Sequence, residues 1–583
     1  MSDTKEGLPS QKELEKELSE YLSRKYGEQV KIISSGILPQ VKPGEGGDKK
    51  APDKKLEFSF ELKPEELVAY LDEHVVQQDE AKAVLATKIC THFNKIRYML
   101  EKPGCGKPNV GQVKSNVLLI GPTGVGKTFL IKLIAQRLGV PFVKGDATKF
   151  SETGYVGGDV EDLVRDLVRQ ADGDIARAEF GIIYVDEIDK IAASQYRLGL
   201  DVSRTGVQRA LLKPMEETEV ELKVPHDPIS QIEAMEHYRA TGKRERRLVN
   251  TRNILFIMSG AFGGLEEIIK KRIRKQSMGF EGTITSKEEA SRFLKFVKAE
   301  DLIEFGFESE FVGRLPVIAV LDQLEVSDLF EILLNPNSSV IVSKKQDFQA
   351  YGIRLLFEEE ACREIARRAI KEKTGARGLV SVIERIILPF EKKLPSTEIR
   401  HLVVTMEMVK NPAAELSLLL SRENAADFYR ERYDELARVE HRRLVDFINR
   451  TLGDYLARHA LTPTEARLAM VAAQCQQENA DPLEVCDFFI ELILQIQAAA
   501  DYMSNKCGTR VVFDSEAIDY LLAREPRSKE SINAACEALF QTFEYGLRLL
   551  SQRGDVETVV ISRRGVESPA EFMNEYVEKV FKL

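Results

Sequence analysis

Eight consecutive residues, Gly121-Pro122-Thr123-Gly124-Val125-Gly126-Lys127-Thr128, set three glycines, a lysine and a hydroxyl at the spacing of a phosphate-cradling loop. Backbone N–H groups of a glycine-rich turn that opens a helix point at anionic oxygens, where the helix dipole favours negative charge. Lys127 at that position reaches the β- and γ-phosphates of a nucleoside triphosphate, and the Thr128 hydroxyl binds Mg²⁺. The flanks agree. Asn116 to Ile120 reads as a buried strand, and Phe129 to Leu138 reads as a helix with apolar residues at helical spacing. A second buried run, Gly181-Ile182-Ile183-Tyr184-Val185, ends in Asp186-Glu187. An aspartate at such a strand end holds the Mg²⁺ shell, and the glutamate beside it polarises an attacking water. Together the two motifs predict binding and hydrolysis of a nucleoside triphosphate.

Those side chains need a rigid frame. From Leu62 to about Val320, apolar runs of strand length alternate with helical patterns, which predicts an α/β domain around a parallel sheet. Near Gln323 the pattern turns helical, and a compact α+β unit runs to about Pro412. The next stretch, to about Asn505, is almost wholly helical. Upstream, Ser10 and Glu13 make a capping-box pattern, and Leu14, Leu18, Tyr21 and Leu22 form a stripe that Gly27 can end. Lys42 to Lys55 reads as a flexible linker. The expected division is therefore 1–55, an amino-terminal segment with linker; 56–322, the large α/β domain; 323–412, a small α+β domain; 413–505, a helical extension; and 506–583.

The last of these is a repeat. Gly352-Ile-Arg-Leu-Leu-Phe-Glu-Glu-Glu-Ala361 recurs as Gly508-Thr-Arg-Val-Val-Phe-Asp-Ser-Glu-Ala517, followed in order by two weaker echoes. Leu402-Val403-Val404 returns as Thr558-Val559-Val560, and Pro412-Ala413 as Pro569-Ala570. Matches in order argue for a copied structural unit.

Composition narrows the class. The chain has 583 residues, 43% of them hydrophobic, and a net charge of −10, so several soluble domains are expected. Negative charge disfavours nonspecific nucleic-acid binding, and the apolar runs fall far short of the roughly 20 residues that span a bilayer. Neither nucleic acid nor membrane is expected as a partner. Seven cysteines, without a C-x-x-C pair, argue against a disulfide framework and against a zinc ribbon. A cytoplasmic location and no zinc are expected.

Further motifs carry a family resemblance. Besides the phosphate loop there are Ala147-Thr148-Lys149-Phe150, Gly154-Tyr155-Val156-Gly157, Asp186-Glu187-Ile188-Asp189-Lys190, Phe311-Val312-Gly313-Arg314-Leu315-Pro316 and Thr374-Gly375-Ala376-Arg377-Gly378. From about Pro64 to about Pro412 the chain resembles a AAA+ ATPase of the ClpX type. The resemblance implies a P-loop domain with a parallel sheet, a small lid domain, and ATP hydrolysis coupled to protein unfolding. It implies that Arg314 is an arginine finger acting on a neighbouring subunit, Arg377 the sensor-2 arginine and Ser259 the sensor-1 residue. Tyr155 and Val156 would grip substrate in the axial pore. Val75 and Val76 would pack on adenine, although Gln77 stands where the family has glycine. A homohexamer acting on unfolded or tagged proteins is implied, with ATP and Mg²⁺.

The chain also departs from that family. Its zinc module needs four cysteines, and none occurs before Cys90. The peptidase-docking Ile-Gly-Phe is represented by Met278-Gly279-Phe280, apolar and flexible but altered. The stretch between Glu217 and Val249 is long and ends in a basic run, Lys243 to Arg247. HslU is the nearest rival family, but its large insert before the Asp-Glu strand is missing. The second lid-like copy lacks the sensor arginine, since Arg377 falls opposite Asn533 or Glu530. The expected protein is an ATP-dependent unfoldase, either the ATPase subunit of a ClpP-type protease or a remodelling ATPase without a peptidase. A nucleotide-controlled scaffold is the reading from another class.

Overall fold

The computed structural model describes residues 62–101, 114–150, 158–192, 202–222, 248–276, 293–422, 424, 427–459, 461–524, 527–553 and 558–581. Tyr155 and Val156, Met278-Gly279-Phe280, the basic run at 243–247 and residues 1–55 lie outside them. No helix among the described residues is long and apolar enough to cross a membrane.

Two helices, α1 (Pro64–His74) and α2 (Asp79–Glu101), lead into strand β1 (Val117–Ile120), and α3 (Lys127–Leu138) follows the glycine loop. Next come β2 (Phe142–Asp146), α4 (Asp162–Gln170), β3 (Ile182–Asp186) and α5 (Val202–Met215). An antiparallel pair, β4 (Glu219–Glu221) and β5 (Leu248–Asn250), precedes β6 (Leu255–Gly260) and β7 (Val317–Val320). Five of these strands form one sheet in the order β2-β3-β6-β1-β7, with every neighbouring pair parallel.

Strand periodicity explains why these runs are apolar throughout. Successive side chains alternate between faces, and helices cover both faces of this sheet. Val117, Leu119, Ile182, Tyr184, Leu255 and Ile257 pack with residues of α1, α2 and α3. Leu118, Ile120, Ile183, Val185, Phe256 and Met258 pack with Leu163 and Leu167 of α4 and Leu211 of α5. The glycine loop and Asp186-Glu187 both follow strands at the same carboxyl edge, where ligands of parallel sheets bind.

Beyond β7 the chain builds a second unit. Its order is α6 (Val326–Leu334), α7 (Ser339–Gln349), β8 (Arg354–Phe357), α8 (Glu359–Lys371), α9 (Arg377–Lys393), β9 (His401–Val404), α10 (Met406–Lys410) and α11 (Pro412–Leu420). A long helix, α12 (Arg430–Arg458), follows. The order then repeats: α13 (Glu465–Glu478), α14 (Pro482–Cys507), β10 (Arg510–Phe513), α15 (Ser515–Leu522), α16 (Lys529–Arg553), β11 (Thr558–Ile561), α17 (Arg563–Glu567) and α18 (Pro569–Phe581). Both strand pairs are parallel, with Leu356 opposite Val403 in one and Val512 opposite Val560 in the other. The copied unit thus begins two helices upstream of Gly508, where the sequence match starts.

The copies differ in what covers them. Tyr433 and Leu436 of α12 pack on the core that holds Leu355, Leu402 and Val403, and the Tyr433 ring lies 5.0 Å from His401. Ion pairs fix the helix there, Arg432 with Glu358 at 3.0 Å and Arg443 with Glu359 at 2.8 Å. The second copy has a core of its own, reaching from Leu444 to Met573. Its outer sheet face stays bare, with Val512 38% and Val560 48% exposed.

Candidate functional site

One cleft of about 430 Å³ gathers Val75, Val76, Thr123 through Phe129, Asp186, Glu187 and Arg377. The phosphate end is built by the loop itself. Gly126 caps α3 with φ +96°, a left-handed conformation that glycine adopts without steric cost. Lys127 Nζ donates to the carbonyls of Gly121 at 2.6 Å and Pro122 at 2.9 Å. Burial lowers the Lys127 pKa against the pull of Asp186 and Asp189. A desolvated cation held by two neutral carbonyls is poised to donate to a phosphate oxygen, a far better partner. Pro122 contributes only that carbonyl, whereas Phe129 lines the cleft and is 41% exposed.

A polar chain runs from the loop to the sheet. Thr128 Oγ1 donates to Asp186 Oδ2 at 3.3 Å, and Ser259 Oγ donates to Asp186 Oδ1 at 3.0 Å. The Tyr184 hydroxyl donates to Ser259 Oγ at 2.7 Å and lies 3.1 Å from Thr128 Oγ1. Burial pushes the Tyr184 hydroxyl up to about 12, so it stays protonated as a donor. Burial also raises Asp186, but hydrogen bonds and charge from Lys144, with Ser259, hold its carboxyl below the usual range. Ser259 is fully buried and does not line the cleft. Its hydroxyl meets the cleft lining at Asp186.

The oxygens of Thr128 and Asp186 fit Mg²⁺. Both are hard donors, and they already face a cation: Lys144 Nζ lies 3.4 Å from Thr128 Oγ1 and 3.1 Å from Asp186 Oδ2. Glu187 sits next to them at φ +57°, an uncommon conformation for a residue with a side chain. Its amide donates to Asp186 Oδ1 at 3.1 Å. Strain held at a cleft-lining carboxylate is a mark of a functional position.

The lid enters the cleft through an interlock of two glycines. Ala376 N donates to the Gly124 carbonyl at 2.9 Å. A Cβ on Gly124 would lie 1.9 Å from the Thr374 carbonyl oxygen, and one on Gly375 would lie 2.6 Å from the Gly124 oxygen. Backbone therefore meets backbone, and Arg377 at the start of α9 lines the cleft with Lys127.

At the other end, Val75 and Val76 line the wall beside Ile332 and Val340. Gln77 and Gln78 both take left-handed backbone, at φ +61° and +67°. That is the reason glycine suits position 77, and the substitution leaves Val75 and Val76 in the cleft. Gln78 ties this bend to the start of the lid, exchanging hydrogen bonds of 2.9 and 2.7 Å with the Asp322 backbone.

Arg314 lies outside the cleft. Its guanidinium pairs with Glu216, and its carbonyl accepts from Asn116 Nδ2 at 3.2 Å. Below the pair, Lys114 Nζ donates to the carbonyls of Glu216 at 2.7 Å and Thr251 at 2.6 Å, and burial lowers its pKa to about 7.

Sequence reasoning missed Lys144, Tyr184 and Glu216, whose roles depend on strand register and loop packing rather than on a motif. It also missed Asn335 to Ser338, a turn that reaches the cleft from the lid. The one signal was the Asn-Pro-Asn-Ser string between two helical patterns. For the second copy, helix starts pair Arg377 with Lys529, rather than with Asn533 or Glu530. Lys529 pairs with Glu491 of α14 at 2.6 Å, and the nearby Arg527 donates to Gln474 of α13 at 2.7 Å. Both cations are used inside the second copy.

Residues 112–318 match the AAA domain (Cdc48 subfamily), and residues 338–395 match the C-terminal, D2-small domain of ClpB protein. The ATP-dependent Clp protease ATP-binding subunit ClpX of Borrelia duttonii (strain Ly) is 39% identical over 380 residues, covering 64% of this chain and 84% of the relative. The protein of the same name in Borrelia recurrentis (strain A1) matches equally. That of Treponema denticola is 38% identical over 368 residues, covering 62% and 85%.

Proposed function

This chain belongs to the ClpX family of Clp-type AAA+ ATPases and hydrolyses ATP, and on that premise we propose how its residues divide the work of ATP-driven protein unfolding. Lys127 and the loop amides hold the β- and γ-phosphates, and Thr128 with Asp186 holds Mg²⁺. Mg²⁺ held there would supply neutralisation of the phosphate charge. Glu187 orients and polarises the attacking water, while Ser259 fixes the Asp186 carboxylate. Arg377 contacts nucleotide from the lid, so that hydrolysis alters the angle between lid and sheet. The observation that carries this reading is the Gly124–Ala376 hydrogen bond, by which the lid turn that carries Arg377 touches the phosphate loop directly.

The proposed division is 56–322 for the ATPase domain and 323–412 for the lid, with 413–505 and 506–583 as an appended module and 1–55 as a separate amino-terminal segment without zinc. Arg314 serves the neighbouring protomer's site in a hexamer, with Glu216 holding it while that neighbour is absent. Tyr155 and Val156 line the pore and push polypeptide. A ClpP-type peptidase is the proposed partner, docking through Met278-Gly279-Phe280 in a cytoplasmic setting; the relatives' printed name, ATP-binding subunit of a Clp protease, supports a protease partner.

A Glu187→Gln chain tests the assignment. It is expected to bind ATP with near-normal affinity and to turn it over at least about 100-fold more slowly. Normal turnover would remove Glu187 from its role. Turnover lost together with ATP binding would point to a structural role instead.

A further inference from the structure

Two polar atoms at the far end of the cleft have nothing to bond. Ser338 is 7% exposed, and its Oγ and Asn337 Oδ1 are buried without a hydrogen-bond partner among the described residues. Both residues line the nucleotide cleft. Buried acceptors are almost always paired, because leaving one unpaired forfeits its hydration. An orphan inside a ligand cleft therefore points to a donor on the ligand.

The turn that carries them is held firmly. Asn337 N donates to Asn335 Oδ1 at 2.8 Å, and Ser338 N donates to the Asn335 carbonyl at 2.9 Å. Asn335 Nδ2 in turn donates to the Glu73 carbonyl at 2.9 Å. That bond fastens the turn to the end of α1, next to Val75 and Val76. Apolar Ile332 and Val340 flank it in the same cleft. The phosphates belong at the opposite end, on the glycine loop, so this apolar slot is left for the base.

We propose that Asn337 and Ser338 read the edge of the purine and make the site selective for adenine. The adenine 6-amino group donates to Asn337 Oδ1, and the Ser338 hydroxyl donates to a neighbouring ring nitrogen. A 6-keto purine places an acceptor oxygen against Asn337 Oδ1 and leaves it unpaired, and sites built on such a bond reject the mismatched analogue. The inference rests on the ATP-site reading above and deepens it. Neither residue belongs to a motif that the sequence singled out.

The test is a set of equilibrium affinities for the full-length chain carrying Glu187→Gln to suppress turnover. ATP, ITP and purine riboside triphosphate are the probes; the last carries hydrogen in place of the amino group. ATP is expected to bind about 10- to 100-fold more tightly than either analogue. Adding Asn337→Ala should bring ATP and ITP within about threefold, through weaker ATP binding, and Ser338→Ala should give a smaller shift the same way. Equal affinity for all three probes without the added substitutions would overturn the inference, whether or not the Asn337 and Ser338 variants fold. So would an unchanged ATP preference in Asn337→Ala. Failure to bind any of the three nucleotides would instead sink the ATP-site reading on which the inference stands.

Discussion

The β8–β9 unit and the β10–β11 unit share an element order and a parallel register, yet among the described residues only the first of the two joins the large domain in lining the nucleotide cleft. The difference lies in one turn. In the first copy Thr374-Gly375-Ala376 takes a left-handed bend at Gly375, φ +60°, fits its backbone against Gly124 and starts α9 with Arg377. In the second, the matching turn has no glycine, and Arg527 and Lys529 pair with the module's own side chains. Architecture was copied and the contact chemistry was not. A fold thus carries no activity until a few residues at one turn supply it.

The strongest way to break this contrast is to remove the cations. Arg377→Ala is expected to lower ATP turnover about 100-fold or more, the scale for losing one preorganised donor to developing phosphate charge. Lys529→Ala should leave turnover within about twofold. Equal effects in steady-state ATPase assays would mean that the second copy also serves a nucleotide.

Next in size is the covering of the two sheets. Val403 is fully buried beneath α12, whereas Val560, which the strand register and not the sequence match (Val559) makes its counterpart, is 48% exposed. Val403→Asp places an unpaired carboxylate in the core and should cost about 3 kcal/mol or more, and Val560→Asp about 0.5 kcal/mol or less. Melting midpoints of the full chain should fall by several degrees for the first and barely move for the second. Similar falls would mean that the bare face is covered in solution.

The approach of α1 in the large domain to the start of α14 in the second copy gives a pH signature. Burial, with Asp481 and Asp72 adding to it and Arg137 opposing, pushes the Glu73 carboxyl up to about 7. A carboxyl raised in the folded state stabilises below its unfolded value of about 4.5, and that stability is lost as pH rises through about 7. Glu73→Gln should therefore match the wild type near pH 4 and exceed it by about 2 kcal/mol at pH 8. A difference that does not grow between pH 5 and 8 would place Glu73 in water, away from Asp481 at the start of α14. The smallest effect concerns the interlock. Gly375→Ala should weaken ATP binding about tenfold or more, through left-handed strain of about 1–2 kcal/mol together with the clash of the new Cβ against the Gly124 carbonyl, measured as a raised KM.

The phosphate loop Gly121 to Thr128 and the Asp186-Glu187 pair were legible in the sequence, because they are contiguous strings whose spacing encodes the chemistry, whereas Thr374 to Gly378 was named only through the family resemblance. The parallel sheet was legible from apolar runs buried on both faces. The base slot was not, because Asn337 and Ser338 arrive from a turn more than 200 residues beyond the glycine loop and gain meaning only from Asn335 bonding to Glu73. The upstream half of the repeat was hidden for another reason. Helices α13 and α14 are 14 and 26 residues long where α6 and α7 have 9 and 11, and they share neither length nor residue identities with them. The position opposite Arg377 was misplaced because α15 is 8 residues long where α8 has 13, so a constant offset fails within the copy.

The measurement that tests the account most directly is ATP-dependent loss of fluorescence from a tagged, stable fluorescent protein, with no peptidase present. Wild type, Glu187→Gln and Tyr155→Ala chains would be compared. The account predicts loss with the wild type and retained fluorescence with both variants. Steady ATP hydrolysis by the wild type with fluorescence intact, or loss that persists in Tyr155→Ala, would contradict it.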